Sequence, residues 1–173
     1  FDIPILFHSL PYCLVPIAKI EIKKIPVLGF VMNAGGHIFV DRSNHEKAIK
    51  SMRIAKDELL KGEKSLMLFP EGSRSKNEKI KQFKRGGLII AVESGIPVVP
   101  IAIINSHKIH KKGTWTVKRV NIHVKIGEPV KVNKLEPEIK KMFPQYLRNK
   151  IIELYDNWAW WIRKKYQLLE IKR

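Results

Sequence analysis

Residues 65–75 read SLMLFPEGSRS. The run SLMLF has the continuous apolar character of a strand buried on both faces. Gly72 then permits a sharp turn. FPEGSRS therefore occupies the loop at the C-terminal end of a strand, the edge where open α/β sheets bind their ligands. Glu71 and Arg74 place a carboxylate and a guanidinium three residues apart, and Ser73 and Ser75 add hydroxyls. An arginine fork suits a phosphate dianion, because two N–H groups meet two oxygens. The same residues also fit a surface turn closed by a local Glu–Arg ion pair, and composition does not decide between the two.

Working outward, strands alternate with helices. Before the turn, LVPIAKIEI at 14–22 has strand character, and residues 25–36 suggest a short helix closing in a tight turn at Gly35 and Gly36. HIFV at 37–40 predicts a short buried strand. Ser43 and Glu46 have capping-box spacing. Ile49, Met52, Ala55, Leu59 and Leu60 follow at helical spacing, with Gly62 placed to stop the helix. After the turn, residues 86–94 predict a helix ended by Gly95, and PVVPIAII at 97–104 another buried strand. Residues 121–126 alternate, with Ile122, Val124 and Ile126 on one face. From Pro137 the period becomes helical, and Leu147, Ile151, Leu154, Trp158 and Ile162 form one apolar stripe. Pro144 starts or interrupts this helix. The alternation predicts an α/β fold, a mostly parallel central sheet flanked by helices. The simplest organisation is one domain over 1–173, ending in an amphipathic basic and aromatic helix at about 145–168.

Composition bounds the function. The chain has 173 residues and a net charge of +17, from 33 Lys+Arg against 16 Asp+Glu. Residues 105–173 hold 17 of the basic side chains but 6 of the acidic ones. Such an excess attracts polyanions, either nucleic acid or an anionic bilayer. At 45% hydrophobic residues the chain can build a core. One cysteine, Cys13, excludes an internal disulfide framework and reads as a small buried thiol. No apolar run approaches the roughly 18–20 residues that span a bilayer, and no signal peptide opens the sequence. The opening Phe1 suggests a fragment whose upstream part is missing.

Three further stretches lie in order around FPEGSRS. GHIFVDR at 36–42 brings Asp41 and Arg42 to a strand end, where Arg42 either meets an anion or closes an ion pair. KIKQFKRGG at 79–87 sets Lys84 and Arg85 before a helix N-terminus, a ready anion site, though a solvated basic loop is the commoner arrangement. IPVVPI at 96–101 is by itself a core strand with prolines at its margins.

Taken in order, these blocks resemble the lysophosphatidic acid acyltransferase family of the glycerophospholipid acyltransferase superfamily, whose motifs run HxxxxD, GxIFVDR, FPEGTRS and a VPVVP-type strand. Ser73 stands where Thr is common and keeps the hydroxyl. AKIEIKKIPVLG at 18–29 resembles the family's lysine-rich stretch, and the resemblance covers roughly residues 1–130. It implies a fold of that type and acyl transfer from acyl-CoA or acyl-carrier protein to the sn-2 hydroxyl of 1-acyl-glycerol-3-phosphate (lysophosphatidic acid), giving phosphatidic acid. A histidine would act as general base, and an aspartate would orient and stabilise its imidazole. Phe1-Asp2-Ile3-Pro4 looks like the tail of HxxxxD, with Asp2 as its aspartate. None of the six histidines present completes the motif, so its histidine is expected upstream, and residues 1–173 alone are expected to be inactive.

The resemblance further implies that Arg42, Glu71, Gly72, Ser73 and Arg74 bind the glycerol phosphate, with Lys19, Lys24, Lys84 and Arg85 as weaker candidates. It implies no cofactor beyond the acyl co-substrate, no metal, no nucleic-acid partner, and membrane association on the cytoplasmic face. The C-terminal segment 155–166, with three tryptophans beside Arg163, Lys164 and Lys165, suits a lipid headgroup interface. A helix packed on the sheet with a solvated basic face is the preferred reading of it. The alternatives are an acyltransferase for another lyso-lipid and, in a different class, a basic nucleic-acid-binding module. The latter lacks any interleaved stacking platform.

Overall fold

The computed structural model describes residues 1–41, 45–62, 64–73, 80–109 and 117–170, with the side chains at 19, 28, 45, 48, 49 and 159–170 left undescribed. The chain opens with helix α1 (Asp2–Ser9) and enters strand β1 (Leu14–Lys19). A 3-10 turn (Ile20–Lys24) leads to helix α2 (Leu28–Ala34) and strand β2 (Ile38–Val40). Helix α3 (His45–Leu60) then returns the chain to strand β3 (Ser65–Met67). Helix α4 (Arg85–Ser94) precedes strands β4 (Ile101–Ile104) and β5 (His123–Ile126), and helices α5 (Pro137–Lys141) and α6 (Phe143–Glu170) follow.

The expected parallel sheet is β2-β1-β3. Its pairing is staggered. Leu14, Val15 and Pro16 pair with Ser65, Leu66 and Met67, and Ile17, Ala18 and Lys19 pair with Ile38, Phe39 and Val40. The stagger explains how a proline fits in a central strand. Pro16 is the last residue paired with β3 and stands just before pairing with β2 begins, so its missing N–H falls where the strand changes partners. All three strands run the same way, so the segments that leave β1, β2 and β3 emerge at one edge.

Several expectations need correction. Strand β1 stops at Lys19, and residues 20–22 belong to the 3-10 turn. β3 is not covered on both faces: Ser65 is exposed, and Phe69, just beyond the strand, is 43% exposed. The sheet order makes β3 an edge strand, which leaves its margin open. The segment 97–104 is strand only from Ile101. It pairs antiparallel with β5 in a separate two-stranded sheet, with one bridge between Val98 and Val130. Ile122, just before β5, and Val124 on it are half-buried, and Ile126 is exposed. Cys13 is exposed, in the link before β1, and is not the small core thiol expected. The capping residue Ser43 lies outside the described residues. Pro144 sits in the first turn of α6, where its ring starts the helix without disturbing it.

Two apolar clusters meet at α4. Val15, Ile38, Val40, Ala55 and Ile90 join the parallel sheet to α3 and α4. Leu88, Ala91, Val130, Val132, Phe143 and Leu147 join the other face of α4 to α6 and to the segment after β5. Phe143 is fully buried in this second cluster. The described part of the predicted stripe on α6 faces inward: Leu147 and Ile151 pack in the cluster, and Trp158 lies 4.7 Å from the His123 ring, while the Ile162 side chain lies outside the described residues. The helix thus packs against the β4–β5 pair, while the tryptophan and basic side chains expected at 160–165 lie outside the described residues.

Candidate functional site

The turn after β3 is the best-defined feature of the strand-exit edge. Phe69, Pro70, Glu71 and Gly72 form a tight reversal closed by the Gly72 N–H donating to the Phe69 carbonyl at 3.0 Å. Gly72 has φ +66, a left-handed conformation that side chains disfavour. The segment 80–84 returns alongside this turn. The Lys84 N–H donates to the Pro70 carbonyl at 2.8 Å, and the Lys84 side chain crosses Gly72. A Cβ at Gly72 would stand 3.0 Å from Lys84 Cδ and 3.3 Å from its Nζ. The Lys81 ammonium donates to the Ser73 hydroxyl at 3.1 Å.

Helix α4 begins at this point. Lys84 is its N-cap residue and provides no side-chain cap, so among the described residues the first N–H groups and the positive end of the helix dipole lie uncapped beside the turn. Gly87 allows the helix to approach the sheet closely, since a Cβ there would stand 3.2 Å from Leu68 Cδ2. Arg85 is exposed on the first turn. One oxygen of Glu71, Oε2, is buried and has no hydrogen-bond partner among the described residues. A buried unpaired carboxylate oxygen is costly, and such groups concentrate where a ligand or a moving partner completes the site.

The other predicted residues are spread over several elements. Lys19 ends β1 opposite Val40, which brings the exits of β1 and β2 side by side. At the β2 exit Asp41 pairs with Lys47 of α3 at 3.9 Å. Lys24 is exposed at the end of the 3-10 turn, while its neighbour Lys23 lies 5.7 Å over the Phe39 ring. Asp2 is half-buried at the start of α1, where a carboxylate favours the helix N-terminus. No hydrogen bond or ion pair ties Asp2 to the turn after β3 among the described residues. Arg42, Arg74 and Ser75 lie outside the described residues. His37 stands at the entry end of β2 with its Nδ1 near Gly35, a structural position away from the exit edge.

Sequence reasoning passed over two groups. The first is Arg148 on α6, whose Nε and Nη2 donate to the carbonyls of Lys81 and Ile80 at 3.0 and 2.8 Å. A sequence separation of nearly seventy residues hides that contact. The second is the exposed apolar surface of the α2 segment: Val27 is 76%, Phe30 77% and Val31 58% exposed. The spacing of these residues beside Lys23 and Lys24 was a visible signal. Val27 has φ 64, a strained conformation for a β-branched residue.

A model of a family described as Acyltransferase matches residues 1–104. A 1-acyl-sn-glycerol-3-phosphate acyltransferase from Limnanthes douglasii is 35% identical over 144 residues, covering 80% of this chain and 51% of the relative. One from Saccharomyces cerevisiae is 28% identical over 145 residues, covering 83% and 48%. The chain spans about half the length of these curated relatives. The crystal structure of the 1-acyl-sn-glycerophosphate acyltransferase PlsC from Thermotoga maritima matches with a TM-score of 0.69 at 31% identity, covering 89% of this chain and 61% of that one.

Proposed function

The chain belongs to the Acyltransferase family, and from that premise we propose that the protein acylates the sn-2 hydroxyl of 1-acyl-glycerol-3-phosphate to give phosphatidic acid. The observation that carries this reading is the arrangement around Gly72. Two lysines, a serine hydroxyl and an open helix N-terminus converge on the FPEGS turn at the exit edge of the parallel strands. That is a site for a phosphate group: fixed N–H groups for its oxygens and ammonium groups for its charge. In this reading Arg74 and Arg42, which follow Ser73 and Asp41 in the sequence, also bind the phosphate, with Lys19, Lys24 and Arg85 as weaker candidates. Several of the relatives found are named for this activity.

Holding the phosphate fixes the glycerol hydroxyl relative to the acyl thioester, which is most of what a direct transfer needs. The hydroxyl oxygen attacks the thioester carbonyl carbon, a C–O bond forms and the C–S bond breaks. A histidine takes the hydroxyl proton and returns it to the departing thiolate. Asp2 is the carboxylate that orients that imidazole and balances its charge. Glu71, one oxygen of which has no partner among the described residues, accepts a hydrogen bond from the glycerol or from an arginine of the site. The step uses acyl-CoA or acyl-carrier protein as co-substrate and needs no cofactor or metal.

Both lipid substrates reside in or pass through a bilayer, and this reading places the protein on an anionic membrane surface at the cytoplasmic side. Supporting it are the net charge of +17 and the exposed Val27, Phe30 and Val31 beside Lys23 and Lys24. No helix among the described residues is long and apolar enough to cross a membrane. The test is incubation of the whole protein with lysophosphatidic acid and each donor in turn, with a panel of other lyso-lipids as acceptors. Phosphatidic acid is the expected product. Product from another lyso-lipid alone would reassign the acceptor, and no transfer to any of them would refute the reading.

A further inference from the structure

The segment 80–84 has no regular secondary structure, yet it bears the two lysines that face the FPEGS turn. Its shape is fixed by anchors. The Lys84 N–H holds its far end to Pro70, the Lys81 ammonium reaches Ser73, and Phe83 packs against the second apolar cluster. The near end is held from outside, by Arg148 of α6. Its guanidinium donates from Nε to the Lys81 carbonyl and from Nη2 to the Ile80 carbonyl, so one rigid fork grips two successive peptide groups. A lysine there could not reproduce the grip, because an ammonium is a point donor without a planar fork.

We infer that Arg148 is a positioning residue for the phosphate site: it sets the path of residues 80–84 and through them the placement of Lys81 and Lys84 over the turn. Helix α6 is well suited to this task. Phe143 and Leu147 lock its first turns into the core, so the Arg148 guanidinium projects from a rigid base. The grip also couples the C-terminal helix, which lies beyond the residues matched by the family model, to the turn within them. The inference rests on the reading of the turn as a phosphate site, and its test separates the two.

In the whole protein, Arg148→Ala is compared with wild type in two measurements. The first is hydrogen exchange at the Lys84 amide, which the Pro70 carbonyl protects. Exchange is expected to accelerate by about tenfold, the loss of a net hydrogen-bond contribution. The second is steady-state acyl transfer. The KM for lysophosphatidic acid is expected to rise on the order of tenfold while kcat stays within about threefold, and in a Lys84→Ala background the same substitution adds less than it does in wild type, since only Lys81 is left for it to misplace. Where the alanine variant does not fold, Arg148→Lys takes its place, with the same changes in reduced size. An unchanged Lys84 amide, or a KM effect that persists in full in the Lys84→Ala background, overturns the inference. If the wild-type protein makes no phosphatidic acid, the functional reading falls, and the exchange measurement alone decides the role of Arg148.

Discussion

Lys84 lies across Gly72, with its Cδ 3.0 Å and its Nζ 3.3 Å from where a Cβ would stand. The contact joins two segments that leave the sheet and re-enter α4, and it depends on the absence of a side chain at residue 72. Gly72→Ala therefore carries two penalties. A left-handed φ costs a non-glycine residue about 1–2 kcal/mol, and the new methyl displaces Lys84. Melting should show the first penalty. A KM for lysophosphatidic acid raised beyond what stability explains should show the second.

Lys84 itself is expected to act through charge. Lys84→Ala should raise the KM for lysophosphatidic acid by about tenfold or more, the scale of one hydrogen bond to a charged group. Lys84→Arg should keep part of the affinity. Titrating both variants with the acceptor at low and high salt checks this, because the difference from wild type should shrink as ions screen the site.

Phe143 anchors α6. It is fully buried among Leu88, Ala91, Val130, Val132 and Leu147. Phe143→Ala is expected to cost about 3–5 kcal/mol. Denaturant unfolding measures it, and a loss under about 1 kcal/mol would contradict the packing described.

Glu58 offers a control away from the site. Lys61 and Lys64 both hydrogen-bond to its carboxylate, Lys61 most strongly, and hold its pKa below the usual value. A carboxyl with a lowered folded-state pKa adds stability that is present above its unfolded value and lost as pH falls through the folded one. The melting temperature of wild type should thus exceed that of Glu58→Gln slightly at neutral pH, and the gap should close in acid. The pair is at the surface, so the gap is small and salt-sensitive. A gap that widens in acid would refute the assignment.

The α2 surface makes a separate prediction. Replacing Phe30 and Val31 by serine should weaken binding to vesicles containing anionic lipid by about tenfold or more, from the loss of apolar insertion. Neutralising Lys23 and Lys24 should weaken it further, at about 1 kcal/mol per charge near the surface. Co-sedimentation over a salt series distinguishes the two contributions. Unchanged binding by the serine variant would move the lipid-facing surface elsewhere.

Much of this molecule is legible in its sequence because local rules and burial agree there. The apolar period over Leu147, Ile151, Leu154 and Trp158 marks the inward face of α6, and Gly95 ends α4 with φ +69. The apolar run SLMLF placed the FPEGS turn at a strand exit, where it stands. What escaped is non-local. Nothing in residues 97–104 distinguishes a parallel from an antiparallel partner, so the separate β4–β5 pair emerges only when β5 docks on it. The burial of residues 65–69 was overestimated because an edge strand and a central strand share one apolar pattern. Arg148 reads as one more basic residue on a basic helix until the carbonyls of Ile80 and Lys81 come within reach.

The most direct test of the central claim is acyl transfer by the whole protein with lysophosphatidic acid as acceptor, wild type against Lys84→Ala, with each acyl donor. The account predicts phosphatidic acid from wild type and a KM for the acceptor raised about tenfold by the substitution. A wild-type protein that makes no phosphatidic acid with either donor, or a Lys84→Ala enzyme with an unchanged KM for the acceptor, would contradict it.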